Sequence, residues 1–429
     1  MKTNGETTIG NGTVIVGSRD SWNRPVGETK PGHLLLETLA YSRDREYVGW
    51  DYFDGMSSQV LRSLPFEHKW VNLAVQEFIK RAPVNIRPFF RVEQRQNFKG
   101  TALFALANAS AYEHTGDERY IEEVIDLADW LIAAQNDDYP GFCGGHRHAM
   151  QQLRERRPPN VPNVVTTAYA VRALLKAASF DPSYFPVARS VVTFLEEALE
   201  YRETPHGATI KYHPLEDGSY ETINGTALGA RVYTDLYAAF GDEQFRRRAG
   251  ALLDHVVSHQ SSIGGWTYRI PASSSHLSMD NHHNGFIVES LVRYRAVTGD
   301  ARHEQAIERS RSFYRNQLFE PNGAPNWDET TQFPRDIHAA TQGIITFAAT
   351  GDIDFSRTIL RWVLDTLYAG DGQFYYQRRR FYTKRFTLMR WCQAWMAYAL
   401  SHLVTGVPML PQAPDREIRT PGGVMHESP

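Results

Sequence analysis

The chain has 429 residues, 42% hydrophobic and 12% aromatic, with 46 Lys and Arg against 49 Asp and Glu and a formal net charge of −3. That length supports a large core, and the near-balance of charge gives no electrostatic footprint for nucleic acid. Two cysteines exclude a disulfide framework, no apolar run reaches the roughly 18 residues of a membrane span, and no signal-peptide stretch opens the chain, so a soluble, cytoplasmic protein is expected.

Residues 1–30 read as an irregular, polar arm, and a helix is expected over about 31–45. A loop with Gly49-Trp50-Asp51-Tyr52-Phe53-Asp54-Gly55 follows. From about residue 67 to about residue 405 one unit of roughly 50 to 65 residues then repeats. Each unit pairs a charged amphipathic helix with an apolar, small-residue helix. The amphipathic members are predicted to begin near Glu67, Asp117, Ser183, Asp242, Ala301 and Asp354, and the apolar members near Lys99, Asn163, Asn224, Asn281, Arg335 and Arg385. Short turns such as Thr298-Gly299-Asp300 and Thr350-Gly351-Asp352 supply a left-handed Gly and an Asp cap. Long loops carry a second recurring pattern: Gly141-Phe142-Cys143-Gly144-Gly145-His146, Gly264-Gly265-Trp266-Thr267-Tyr268, Gly323-Ala324-Pro325-Asn326-Trp327 and Gly372-Gln373-Phe374-Tyr375-Tyr376.

A helix with one wet face belongs outside, and one apolar on all sides belongs inside. Alternating the two six times predicts an all-α fold, an (α/α)6 toroid over 31–405, with short β-hairpins in the long loops on one face and a Pro/Gly-rich tail over 406–429. Every long loop precedes an inner helix, so the inner helices start at one rim and their first turns point into the barrel mouth. Helix N-termini gathered there favour anionic ligands.

The residues at that rim define the candidate site. Met279-Asp280-Asn281-His282-His283-Asn284 opens the fourth inner helix, Arg335-Asp336-Ile337-His338 the fifth, and Phe374 through Trp391 leads into the sixth; the second loop adds His146, Arg147 and His148. Two chemistries fit these side chains. Asp280 and Asp336 could form the carboxylate pair of a hydrolase. Alternatively, His282, His283 or His338 could work with Tyr376 to move a proton next to a carboxylate, by elimination or epimerisation. Arg335, Arg379, Arg385 and Arg390 suit an acidic substrate, and Trp266, Trp327, Tyr375 and Trp391 are candidate platforms for sugar rings. Cys143-x-x-His146-x-His148 offers zinc-type ligands but is one short cluster, so neither a metal nor a cofactor is expected.

The repeat resembles the six-hairpin toroids of carbohydrate-active enzymes, a group of glycoside hydrolases, polysaccharide lyases and sugar epimerases. Asp280-Asn281-His282-His283-Asn284 is similar to the Asp-Asn-x-x-Asn segment that carries a catalytic Asp in unsaturated glucuronyl hydrolases. The passage from Phe374 to Trp395 also resembles toroid proteins associated with surface-polysaccharide and glycoprotein-glycan synthesis. These resemblances imply an enzyme acting on an acidic, uronate-type glycan or its precursor. A non-catalytic glycan-binding toroid is the alternative. Gln260-Ser261-Ser262-Ile263-Gly264-Gly265-Trp266 is similar to the Gln-Trp repeat of terpenoid cyclases, which share the architecture and give a further alternative.

Overall fold

The computed structural model describes residues 29–153, 156–407 and 409–413. Most of the expected arm and tail therefore lies outside the described residues. The chain enters through α1 (Pro31–Arg43), the short α2 (Gln59–Arg62) and α3 (Lys69–Arg81). The toroid then runs as α4 (Phe98–Thr115), α5 (Arg119–Ala133), α6 (Val164–Ala177), α7 (Tyr184–Thr193), α8 (Ile223–Phe240) and α9 (Glu243–Ser258). It continues through α10 (Asn281–Thr298), α11 (Glu304–Gln317), α12 (Ile337–Ala349), α13 (Ile353–Leu367) and α14 (Trp395–Val404).

The even-numbered helices from α4 to α14 are the inner ring. Each packs against the next, and α14 packs against α4 to close the circle. Their burial follows from composition: residues 98–111 of α4 and every residue of α6 are buried, whereas α5 buries only Tyr120, Val124, Leu127, Ala128 and Leu131 of its length. The fold is the (α/α)6 toroid that the alternation predicts, with two-residue and three-residue strands confined to the long loops.

The sixth outer helix is not the one expected from the sequence. The amphipathic helix near Glu67 is α3, which packs over the turn Gly55–Ser57 and the strand Met150–Gln151 and leaves Trp70 and Phe78 exposed. The outer position is filled by α1, which packs on both α14 and α4. A recurring close approach shows the equivalence. A Cβ added at Gly141 would meet the carbonyl of Ser190 in α7, at Gly207 that of Ala251 in α9, and at Gly264 that of Arg309 in α11. At Gly323 it would meet Thr358 in α13, and at Gly372 it would meet Glu37 in α1. Each long loop thus turns against the backbone of the next outer helix, and α1 takes the last place. The N-terminal and C-terminal parts of the chain close the ring together.

A second periodic contact fixes the rim. The first inner-helix N–H bonds to an aromatic residue's carbonyl in the following loop: Val164 to Tyr212, Ile223 to Tyr268, Asn281 to Trp327, Ile337 to Tyr376, and Met389 to Trp50, at 2.9 to 3.3 Å. These bonds satisfy one orphan donor per helix and put five helix starts in the same register. The sixth inner helix does not begin near Arg385, where its sequence pattern predicts a start. Residues 385–388 stay extended, Arg385 is exposed, and a π-helical turn over Met389–Ala394 leads into α14. π-Turns of this kind concentrate at functional sites.

Candidate active site

Five of the six inner helices have their first residue tied to a loop carbonyl, so the second residues occupy equivalent places at the rim. Helical Cβ atoms also lean toward the N-terminus, so these side chains converge on the mouth. In order they are Lys99, Val165, Asn224, His282, His338 and, in the π-turn, Arg390. Five of the six are polar or charged in helices otherwise built from apolar residues.

Asp280 caps α10 through the N–H of His283 and is 2% exposed. Its carboxylate lies 2.8 Å from Nδ1 of His283 and 3.4 Å from Nδ1 of His282. Held this way, each imidazole is steadied at Nδ1 and leaves Nε2 for other work. Burial works against the Asp280 charge, but the two imidazoles lower its pKa overall. These three ligand-type atoms lie within 4.8 Å of one another, a spacing that a divalent cation could also bridge.

His338 is the most enclosed member of the cluster. It is 1% exposed, and neither ring nitrogen has a hydrogen-bond partner among the described residues. Its ring centre lies 4.5 Å from that of His282, 4.5 Å from Trp391 and 4.4 Å from Trp395. Burial, followed by the neighbouring His282, pushes the pKa of His338 well below the usual range. His282 is pushed the same way by burial and then by His283. Burial thus favours the neutral form of both imidazoles.

Asp336 caps α12 and sits apart from this role. One oxygen accepts from the Trp391 indole N–H at 2.7 Å and from the His338 backbone N–H at 2.9 Å; the other accepts from Gln377 at 2.9 Å. Burial pushes its pKa up to about 6, with those three donors opposing. Tyr376 is 3% exposed, and burial holds its phenol far above the ordinary range.

The remaining expected site residues divide by placement. Arg390 grips buried Asp51 through Nε at 2.8 Å and Nη2 at 2.6 Å, and Asn97 adds a bond to the same carboxylate at 2.7 Å. Trp391 is covered on one face by Tyr52, stacked at 4.4 Å, and approached by His338, so it has little ring surface for a sugar. Trp266 is 1% exposed, with its indole N–H on the Val256 carbonyl; its expected platform role gives way to core packing. Gln260 bonds the Gly264 and Ala306 carbonyls, which accounts structurally for the Gln-Trp match. Arg335 lies 3.7 Å from Glu320. Arg379, Trp327 and Tyr375 remain partly exposed on the rim loops.

The cysteine–histidine cluster does not form a shared set of contacts. Cys143 Sγ faces the Asn136 carbonyl, and His148 Nδ1 bonds Ser57 Oγ at 2.6 Å. Lys99 and Asn224, which the sequence pattern marks only as helix starts, join the ring as functional candidates. The signal they carry is a polar residue in the first turn of an apolar helix. Asn224 is 1% exposed, and neither of its amide atoms has a hydrogen-bond partner among the described residues.

The fold is shared with several sugar-active proteins at low identity. A cellobiose 2-epimerase from Bacillus thermoamylovorans B4167 is similar at 14% identity and a TM-score of 0.55, covering 72% of this chain and 87% of its own. A D-mannose isomerase matches at 11% identity and a TM-score of 0.56, covering 72% of this chain and 86% of its own. An unsaturated glucuronyl hydrolase from Bacillus sp. GL1 matches at 15% identity and a TM-score of 0.56, over 90% of this chain and 97% of its own. No protein-family model and no curated protein matches the sequence. Among the described residues no helix is long and apolar enough to cross a membrane.

Proposed function

We propose that the barrel mouth moves a proton on the carbon beside the carbonyl of a reducing sugar, interconverting epimers or an aldose and its ketose. The observation that supports this best is the pair His282 and His338, two neutral imidazoles 4.5 Å apart on adjacent inner helices. A neutral imidazole can take the proton and, then cationic, hand it back to the carbon or pass it to its neighbour for return, while the amide of Asn224, the second residue of α8, is the candidate to meet the negative oxygen that develops. Asp280 positions His282 and His283 at Nδ1. Asp336 has both oxygens occupied, so its part is to hold Trp391 and Gln377 rather than to act as a base.

The substrate in this reading carries an acidic group, uronate in type. Arg390 is committed to Asp51, whereas Arg379 has a buried Nε without a hydrogen-bond acceptor and is the better carboxylate anchor. The test is solvent exchange: in deuterated water the protein should place deuterium beside the carbonyl of a uronate-bearing reducing sugar, read by proton NMR. His282→Asn and His338→Asn should each lower exchange at least about a hundredfold, the range of a general acid–base group. Exchange unchanged in both variants would remove the histidines from the chemistry.

A second reading, hydrolysis of an unsaturated uronide, is favoured by Asp280-Asn281-x-x-Asn284 opening an inner helix and by the glucuronyl hydrolase likeness over 90% of the chain. It predicts release of two sugars without deuterium in the recovered substrate. A glycan-binding protein without activity would show neither outcome while still binding.

A further inference from the structure

Lys99 has no part in the proton transfer described above, yet it belongs to the same ring as His282, His338 and Arg390. It is the second residue of α4 and 5% exposed. Its Nζ lies 5.4 Å from the ring centre of Trp395, the indole that also packs against His338. Other enclosed lysines are satisfied: Lys176 donates to Glu113 at 2.6 Å, and Lys384 to the Lys80 carbonyl at 3.0 Å. Lys99 makes no hydrogen bond or ion pair with any described residue. The groups whose charge reaches it are Arg390 and Asp51, and Asp51 is already held by Arg390 and Asn97. His146, His282 and His338 face it from the neighbouring elements. An ammonium there would be desolvated, without an acceptor and next to a guanidinium. Burial, and after it Arg390, lowers the Lys99 pKa well below 10.5, which favours the amine form with its nucleophilic lone pair.

We propose that Lys99 is a nucleophilic amine that captures the open-chain aldehyde or ketone of a sugar as an imine. This rests on the reading of the mouth as a site for a reducing sugar. The step balances without a further reactant. Nζ forms a bond to the carbonyl carbon, the carbon–oxygen double bond breaks, and one amine proton and one proton from solvent leave with that oxygen as water, so that the nitrogen keeps its second proton as a protonated imine. His282 and His338 stand on the same ring to carry those protons. A protonated imine draws electrons more strongly than a carbonyl, so it would acidify the neighbouring C–H that the histidines act on. Addition of water reverses the bond and releases the sugar.

The experiment is reductive trapping on the full chain. Glycolaldehyde, a two-carbon carbonyl probe, is added with sodium cyanoborohydride at pH 7, and modified lysines are mapped by peptide mass spectrometry. Lys99 should be labelled at least about tenfold faster than exposed Lys69, an advantage expected of a desolvated neutral amine. Lys99→Arg should give no adduct at that peptide, and Lys99→Met should lower deuterium exchange in the sugar at least about a hundredfold. Labelling of Lys99 no faster than Lys69 in the folded wild-type protein would overturn the proposal. If deuterium still enters the sugar in that case, proton transfer stands and only the imine fails. If Lys99 is trapped while His282→Asn and His338→Asn keep full exchange, the amine stands and the histidine chemistry fails.

Discussion

Asp51 and Arg390 show how a single residue's meaning depends on its partner. Both are at most 4% exposed, and their contact is bidentate. Burial opposes the charge on Asp51, but the guanidinium 2.6 Å away holds its carboxyl below the usual carboxylate range. Removing one partner of such a pair leaves an uncompensated buried charge, at a cost of about 3 to 5 kcal/mol. Arg390→Ala should therefore lower stability in denaturant unfolding by about that amount, and adding Asp51→Asn should recover much of it. A loss below about 1 kcal/mol would mean that the pair is solvated. Arg379 behaves differently, because its Nε has no hydrogen-bond acceptor among the described residues. Arg379→Ala should leave stability nearly unchanged and weaken a uronate ligand by about 2 kcal/mol, the scale of a charge-assisted hydrogen bond. Its effect on the carboxyl-reduced analogue should be small in the same calorimetric titration.

Elements in this fold are joined by two kinds of glycine. Gly116 ends α4 with φ 72°, and a Cβ there would meet nothing within 4 Å. Gly141 has nearly the same φ, 73°, but its Cβ would lie 2.2 Å from the Ser190 carbonyl of α7. Alanine at position 116 should cost only the left-handed strain, roughly 1 to 2 kcal/mol. Alanine at position 141 adds a collision with helix backbone that cannot rotate aside, and should cost at least about 3 kcal/mol. Thermal unfolding of Gly116→Ala and Gly141→Ala compares them directly. Equal losses would show that the long loops do not seat against the next outer helix as tightly as the contact implies.

At the scale of the whole molecule, the barrel interior sets its response to acid. Burial pushes His148 and His402 down to about 4 and His213 to about 3, and His146, His282 and His338 are also well below 6.5. Below pH 6.5 the unfolded chain takes protons that the folded chain refuses. Stability is therefore complete above pH 6.5 and declines as pH falls toward the folded values. Each group contributes about 1.4 kcal/mol for every pH unit that separates its folded and unfolded titrations. Three carboxyls oppose this, Asp336 raised to about 6, Glu216 to about 7 and Asp54 raised by burial, since their folded forms bind protons more readily than their unfolded forms. Six depressed imidazoles outweigh three raised carboxyls. Denaturant midpoints should fall steadily between pH 7 and pH 4.5, and a flat profile would show that these histidines are charged in the folded protein.

The sequence by itself determined the architecture and the rim that carries the candidate site. Helix polarity is a local property: a wet stripe on α5 and its absence on α4 are written in the order of residues, as are the Gly turns and caps between helices. The same logic marked Asp280, His282, Asp336 and His338, because each opens or caps an inner helix. Which helix closes the ring was not a local property. Both α1 and α3 are helices of 13 residues, and only packing against α14 and α4 distinguishes them. Side-chain commitments were equally out of reach. Arg390 finds Asp51 across 339 positions, and Trp391 finds Asp336 across 55. Lys99 has no side-chain hydrogen bond or ion pair among the described residues, and closure of the toroid brings its helix beside Arg390, a juxtaposition of opposite chain ends that no local pattern encodes.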